Sequence, residues 1–149
     1  MSRTIQHFSP ERFTAVRESS GFTVTRLAQE SMVSRQTIHT WEKGTRRPTV
    51  ESLSMVMAVM GRPVIEVLDL SMEEATLHDL RVISGLSRAE VYAELGLSKS
   101  GWAMIERGEV VLTGDKVEPL AELFGLTVTI VNRAAKNTVK QWLDGHTLG

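Results

Sequence analysis

The sequence predicts a mainly α-helical protein made of two tandem helical bundles, each with a short β-strand favoured after its last helix. Three observations support this fold class. The chain repeats itself at a fixed spacing, and Ser or Thr caps and glycine stops divide each repeat into short helices. The composition is that of a globular protein, because 149 residues include 42% hydrophobic and 23% charged side chains.

The internal repeat appears when the sequence is shifted by 64 positions, and no gap is needed. Identical residues then align along most of each copy: Arg17 with Arg81, Gly21 with Gly85, Glu42 with Glu106, Gly44 with Gly108, and Gly61 with Gly125. Two copies of about 60 residues therefore follow one another, and we place the domains at residues 1–70 and 71–149. Residues 71–74, Ser-Met-Glu-Glu, fit a capping box and predict the start of the next helix.

Copy one carries four helix-start signals in succession. The first predicted helix begins at Ser9 and Pro10 and ends near Ser20 and Gly21. The second covers residues 24–31 and is capped by Thr23. The third covers residues 35–43, between Ser34 and Gly44, and the fourth covers residues 50–60, between Thr49 and Gly61. We expect Trp41, Trp102 and the methionines at 55, 57 and 60 to fill the cores.

Copy two repeats the signals with Ser87, Ser98, Gly108 and Gly125. A stretch rich in β-branched residues follows the last glycine of each copy, at 63–68 and 126–131. Such a stretch allows a strand or a last helical turn, and we favour a strand. Pro119 lies inside the helix expected after Thr113, so that helix is predicted to begin late or to kink.

Charge and composition exclude several classes of function. A formal charge of -1 means that any DNA binding must come from a local patch rather than from the whole molecule. The absence of cysteine excludes disulfides and thiolate chemistry and suits a reducing compartment. The four histidines, at positions 7, 39, 78 and 146, lack the spacing of helical metal ligands, so we expect no metal and no cofactor.

No catalytic pattern is present, and we expect no enzymatic activity. The sequence lacks a Ser-His-Asp order, a glycine-rich phosphate loop and paired carboxylates. Glu42 and Glu106 stand singly before closing glycines, where a structural ion pair is expected. The N-terminus carries no signal-peptide run, and the densest apolar stretch, residues 53–60, is too short to span a bilayer. A cytoplasmic protein with no membrane contact is therefore predicted.

Within residues 13–68, copy one has two short predicted helices around residues 31–33, an early Ala28 and a late Ile38 and Trp41 that are expected to be buried, and the run Trp-Glu-Lys-Gly before Pro48. On these features copy one resembles the helix-turn-helix of the lambda-repressor-like (Cro, XRE) regulators. Copy one departs from the pattern at Met32, where a turn glycine is usual, and at Val24, where a polar side chain is usual. The resemblance implies that helix 35–43 enters the major groove of double-stranded DNA.

Contacts with DNA follow from that placement. The face opposite Ile38 and Trp41 is free to read bases, and it carries Arg35, Gln36, His39 and Thr40. The resemblance puts phosphate contacts at the helix starts and in the loop after the recognition helix. The expected phosphate contacts are Thr23, Thr25, Ser34, Lys43, Thr45, Arg46 and Arg47.

Copy two keeps the apolar scaffold but changes its surface. Residues 1–70 hold nine Lys/Arg and seven Asp/Glu, a balance of +2, whereas residues 71–149 hold eight and eleven, a balance of -3. An acidic domain binds phosphate poorly. Its exposed positions form either a surface for a partner, which we prefer, or a second DNA site. These positions are Lys99, Ser100, Arg107, Val110, Val111 and Leu112.

The sequence therefore predicts a sequence-specific transcriptional regulator, a prokaryotic or phage repressor that binds operator half-sites. We prefer a homodimer held together by copy two and residues 133–143 over an internal pseudo-dimer of the two copies. The alternative is an antitoxin or adaptor whose acidic half, residues 71–149, binds a partner protein, with DNA binding for autoregulation. A third reading is a helical scaffold whose helix-turn-helix is vestigial.

Overall fold

The computed structural model describes residues 5–146, and over that range the chain is helical. It divides into two compact units, Met1–Leu70 and Ser71–Gly149, called unit 1 and unit 2 below. No helix in the described range is long and apolar enough to cross a membrane. The mainly α fold class is confirmed.

Between residues 5 and 70, unit 1 contains four α-helices and one 3₁₀ turn. The helices are α1 (Pro10–Ser19), α2 (Val24–Ser31), α3 (Arg35–Lys43) and α4 (Val50–Met60), and the 3₁₀ turn is Val64–Val67. The side chains of Ser9, Thr23, Ser34 and Thr49 each accept a hydrogen bond from a backbone N–H in the first turn. These bonds satisfy groups that a helix start leaves unpaired, so the four helix starts predicted from the sequence are confirmed.

The described part of unit 2, residues 71–146, contains five α-helices. They are α5 (Leu77–Ile83), α6 (Arg88–Leu95), α7 (Lys99–Arg107), α8 (Gly114–Phe124) and α9 (Val128–His146). The predicted caps at Ser87 and Ser98 are confirmed. The glycines at 108 and 125 end α7 and α8 with left-handed backbone.

The predicted helix start at Ser71 is wrong. Residues 72–74 form a turn, and α5 begins later, capped by Thr76 in a capping box with Asp79. The Asn137 side chain of α9 donates hydrogen bonds to the carbonyls of Glu73 and Ala75, at 2.9 and 3.0 Å. Because these bonds hold the segment outside a helix, a contact distant in sequence overrides the local capping signal.

The strands favoured after the closing glycines are also wrong, since both segments are helical. The first is the 3₁₀ turn Val64–Val67, and the second is the start of α9. Among the described residues, one isolated antiparallel bridge joins Phe8 and Leu68. The buried side chains of α9 are Val131, Ala134 and Thr138, which recur at helical spacing. Their burial outweighs the preference of the β-branched residues for a strand.

The helix around Pro119 does not begin late. α8 starts at Gly114 and runs through the proline to Phe124. A proline within a helix loses one backbone hydrogen bond. Val117, Leu120, Ala121 and Phe124 of α8 are all buried, and this packing compensates for the lost bond.

Trp41 and Trp102 are buried in the cores of units 1 and 2, as predicted. Trp41 meets Phe8 and Phe13 edge to face, with ring centroids 6.3 and 5.7 Å away. Such aromatic arrangements add to the free energy of burial. Met57 and Met60 are buried as predicted, but Met55 is 46% exposed and lies outside the core. Ala28 is half-buried rather than buried.

An ion pair occurs at the same place in both units, half-buried in unit 1 and buried in unit 2. Arg17 donates two hydrogen bonds to Glu42, at 2.6 and 3.1 Å, and one to the carbonyl of Phe22 at 2.9 Å. Arg81 donates one hydrogen bond to Glu106 and one, at 2.9 Å, to the carbonyl of Leu86. The bond to Glu42 raises the pKa of Arg17. Glu42 and Glu106 are therefore structural, as predicted, and each fixes its third helix to the first helix of its unit.

Unit 2 adds a histidine to this ion pair. His78 Nδ1 lies 3.4 Å from Arg81 Nη2 and 3.9 Å from a Glu106 oxygen. Burial lowers the pKa of His78, because a buried imidazolium loses its hydration. Arg88 also donates to Glu106, at 3.0 Å. The cluster therefore holds a histidine of lowered pKa beside two arginines that share one carboxylate.

Candidate nucleic-acid interface

α3 has one buried face and one exposed face. Ile38 and Trp41 are 0% and 2% exposed, and they pack into the core of unit 1. Arg35, Gln36 and His39 lie on the surface of the same helix. These three long polar side chains are therefore available to a ligand, and they are three of the four residues predicted to read bases.

Thr40, the fourth predicted base reader, differs from the other three. It is half-buried, and its hydroxyl donates to the carbonyl of Thr37 at 2.6 Å. Its own carbonyl accepts from the Thr45 N–H at 3.0 Å and from the Thr45 hydroxyl at 3.3 Å. The hydroxyls of Thr40 and Thr45 are therefore engaged within the end of α3, where they shape the loop that follows.

The first turns of α2 and α3 lie close together. Ser34 Oγ accepts from the Thr37 N–H and donates to Thr37 Oγ1 at 2.8 Å. Arg35 Nη1 donates to Thr25 Oγ1 at 3.4 Å, which links the two helices. Thr23 caps α2 in a similar way. Thr37 is not among the residues predicted from the sequence, although its i+3 spacing from the Ser34 cap indicates the contact.

An open groove of about 490 Å³ runs between α2 and the start of α3. Its lining residues are Thr25, Ala28, Gln29, Met32, Val33, Ser34 and Arg35. Thr25, Ser34 and Arg35 were predicted to contact DNA, whereas Gln29 and Met32 were not. Thr25, Gln29 and Met32 follow an i, i+4, i+7 spacing, which predicts that they lie on one face of α2 and its C-terminal cap.

The cations of unit 1 form two groups. One group pairs with carboxylates: Arg12 with Asp69, Arg17 with Glu42, Arg26 with Glu30, and Arg62 with Glu66. The other group is exposed and makes no ion pair with any residue in the range 5–146: Arg35, Lys43, Arg46 and Arg47. All four unpaired cations belong to α3 or to the loop that follows it, so the positive charge of unit 1 is concentrated there.

The loop after α3 is fixed at both ends while its arginines remain free. Gly44 adopts left-handed backbone with φ of 76°, which glycine allows without strain. At the other end Pro48 is buried, and its carbonyl accepts from the Ile5 N–H at 3.0 Å. Arg46 and Arg47 between these points are exposed and can meet a phosphate.

α7 of unit 2 offers a weaker version of this face. It buries Trp102 and Ile105 and leaves Lys99 and Ser100 exposed. Arg107, however, donates two hydrogen bonds to Glu109, at 3.1 and 2.6 Å. A carboxylate thus neutralises the cation at the end of α7, whereas Lys43 at the equivalent position of α3 has no such partner among the described residues.

The loop after α7 is only partly the apolar surface predicted from the sequence. Val110 and Val111 are 44% and 63% exposed, but Leu112 is 7% exposed. The prediction that Leu112 lies on the surface is therefore wrong, since its side chain packs into unit 2. It occupies the position of the buried Pro48 in unit 1, and each residue fastens its loop to its own core.

Residues 133–143 belong to α9 and not to a separate tail. Ala134 and Thr138 are buried within unit 2, and Thr138 Oγ1 accepts from the Leu77 N–H at 2.9 Å. α9 also passes so close to the end of α7 that a Cβ on Gly108 would lie 2.4 Å from the Thr138 carbonyl oxygen. The buried side of this segment is therefore engaged within its own unit.

Each unit matches a different family model. Residues 14–67 match the family described as helix-turn-helix, and residues 75–134 match the family described as helix-turn-helix domain. No curated protein and no solved structure matches the chain. The chain therefore carries two helix-turn-helix domains in tandem, which agrees with the XRE-like DNA-binding regulator with a second copy that the sequence resembles.

Proposed function

We propose that unit 1 recognises specific sites in double-stranded DNA by placing α3 in the major groove. The observation that carries this proposal is the concentration of unpaired, exposed cations on α3 and its loop, at Arg35, Lys43, Arg46 and Arg47. Phosphate groups flank the major groove, and cations without a carboxylate partner are free to bind them. The other cations that the structure describes in unit 1 are already paired.

In this proposal, bases are read by the exposed side chains of α3. Arg35 suits the two acceptors of guanine, Gln36 suits the donor and acceptor of adenine, and His39 adds a further polar contact. Thr40 lies on the same face, but with its hydroxyl engaged it contributes mainly by apolar contact. The proposed phosphate contacts are Thr23, Thr25, Ser34, Lys43, Arg46 and Arg47, whereas Thr45, whose N–H and hydroxyl both donate to the Thr40 carbonyl, shapes the loop.

The regulator we propose is a prokaryotic or phage repressor. Binding to an operator that overlaps a promoter is enough to block transcription, so the activity needs no chemistry beyond the DNA interface. The resemblance of unit 1 to the Cro and XRE regulators supports this setting. A single small module makes few contacts, and two half-sites one helical turn apart would raise the affinity.

Changing both Arg46 and Arg47 to alanine is expected to weaken binding to all DNA sequences about equally. Each lost phosphate contact should lower the slope of log affinity against log salt concentration by roughly one unit. The measurement is fluorescence anisotropy of a labelled duplex over a series of salt concentrations, with one selected duplex and one scrambled duplex.

Arg62→Ala is the matched control for the salt series. It removes one cation of unit 1, but that cation pairs with Glu66 away from α3, so the salt slope should not change. An unchanged slope for the Arg46 and Arg47 variant would remove the loop from the interface. A slope that falls equally for the control would show a general charge effect.

Unit 2 supplies the second part of the proposal, which is assembly into a homodimer. Val110 and Val111 are exposed at the positions that hold Arg46 and Arg47 in unit 1, so an apolar pair replaces the cationic pair. The balance of -3 over residues 71–149 also disfavours contact with DNA. Two chains joined through this surface would present two copies of α3 to two half-sites.

Changing Val110 and Val111 to serine is expected to weaken self-association and to lower apparent DNA affinity at low protein concentration. The affinity should recover as the concentration rises, because the dimer then forms again by mass action. Sedimentation velocity and DNA binding measured over the same concentration range check this. A sedimentation profile identical to that of the unchanged protein would contradict it.

Lys99→Ala with Arg107→Ala is the matched control on unit 2. If α7 does not meet DNA, this variant should bind the operator like the unchanged chain. Loss of binding by the control, together with a monomer that protects two adjacent half-sites, would show that both units read DNA.

The exposed valine pair on an acidic unit also favours a second candidate, an antitoxin or adaptor that binds a partner protein. In that case the chain would be monomeric by sedimentation at every concentration. The change of Val110 and Val111 to serine would leave DNA binding intact but abolish regulation in cells. A concentration-dependent dimer whose operator binding depends on the valines would exclude this candidate.

A further inference from the structure

Met32 holds an unusual backbone conformation at the turn between α2 and α3. Its φ is 66°, and it is the sole non-glycine residue with positive φ among residues 5–146. Side chains crowd the backbone in this conformation, which favours glycine. The equivalent position of unit 2 is Gly96, which forms the same turn with φ of 67°. Unit 1 therefore keeps a strained methionine where glycine would serve the fold better.

The Met32 side chain makes no compensating contribution to the core. It is 84% exposed, more than any other large hydrophobic side chain among residues 5–146. A strained, exposed apolar side chain stabilises neither the turn nor the core. Strain that the fold does not require is characteristic of functional positions.

The surroundings of Met32 point to the ligand it would meet. Met32 lines the groove between α2 and α3 together with Ala28, Thr25, Ser34 and Arg35. Hydroxyls and a guanidinium suit a phosphate, whereas the methyl and thioether groups suit the apolar edge of a deoxyribose. The groove thus combines the two kinds of surface that one DNA strand presents.

We propose that Met32 is a DNA-contacting residue that packs against the deoxyribose edge of a strand seated in this groove. The inference rests on the proposed function, in which unit 1 binds DNA through α3. Methionine suits the role because its long, unbranched thioether adapts to an irregular apolar surface. Gly96 offers no such contact, so this part of the surface is specific to unit 1.

Three variants at this position separate the contact from the turn. Met32→Asn keeps a residue that tolerates left-handed backbone but removes the apolar contact. It should bind DNA roughly five- to tenfold more weakly, as expected for the loss of a small apolar contact area. Met32→Leu keeps an apolar side chain and should bind within about twofold of the unchanged chain.

Met32→Gly gives two opposite effects in one variant. It relieves the strained turn, so Tm should rise by roughly 5 °C, while affinity for DNA should fall as in the asparagine variant. The probe is a duplex selected by the unchanged chain from a random library, measured by fluorescence anisotropy. Gly96→Met is the matched control: it places the same strain in unit 2, so Tm should fall while DNA affinity stays the same.

The proposal would be overturned if the Met32→Gly variant were more stable but bound DNA as tightly as the unchanged chain. The proposal would also be overturned if the Met32 variants bound DNA normally yet failed to regulate transcription, because Met32 would then contact a protein. Failure of the proposed function is distinguishable, because Arg35→Ala would then leave DNA binding unchanged as well. Loss of affinity in the glycine and asparagine variants, with retention in the leucine variant, supports the contact.

Discussion

Replacing Gly108 with alanine is expected to unfold unit 2. Gly108 has φ of 89°, and a Cβ there would lie 2.4 Å from the carbonyl oxygen of Thr138 and 2.9 Å from Cβ of Trp142. The carbonyl belongs to the backbone of α9, so no rotamer change can relieve the clash. Moving α9 off α7 would cost more than about 3 kcal/mol, a large share of the stability of a small domain.

Gly44→Ala is the matched control in unit 1. Gly44 has φ of 76°, but a Cβ there would meet only Cγ of Pro10, at 3.6 Å. The cost should be limited to backbone strain, about 1 to 2 kcal/mol. Urea unfolding followed by circular dichroism compares the two variants. Equal losses of stability would contradict the tight packing of α9 against α7.

Changing Arg35 or Gln36 to alanine is expected to reduce specific DNA binding by roughly 1 to 3 kcal/mol each while the fold stays intact. Both side chains are exposed, and Arg35 makes only a long hydrogen bond, 3.4 Å, to Thr25. Their removal should therefore leave the stability of unit 1 within about 0.5 kcal/mol. Affinity for a selected duplex and for a scrambled duplex, measured side by side, tests the expectation.

Lys99→Ala and Ser100→Ala are the controls, because they change the equivalent positions on α7 of unit 2. Under the proposed division of roles they should leave both affinities unchanged. If the Arg35 and Gln36 variants lost affinity equally for both duplexes, these residues would contact the backbone rather than the bases. If neither affinity changed, α3 would not be the helix in the groove.

The sequence by itself determined the repeat and most helix starts and ends. A cap acts within its own helical turn, as when the Ser34 oxygen accepts the Thr37 N–H, and left-handed glycines such as Gly44 end helices through local backbone freedom. The shift of 64 positions could be found because both units use the same local signals, including the residues of the half-buried Arg17 and Glu42 pair. The buried and exposed faces of α3 also follow from helical spacing alone.

Only the tertiary structure decided the features that depend on partners distant in sequence. Asn137 holds the segment before α5 in a turn, although Ser71 carried a capping signal. Leu112 is buried by its own unit, and α9 continues through a segment that suited a strand, because burial in the assembled unit outweighs local preference. The pairing of cations is also tertiary. The sequence shows where an arginine stands, but only the folded chain shows that Arg12 meets Asp69 while Arg46 and Arg47 remain free to bind a phosphate.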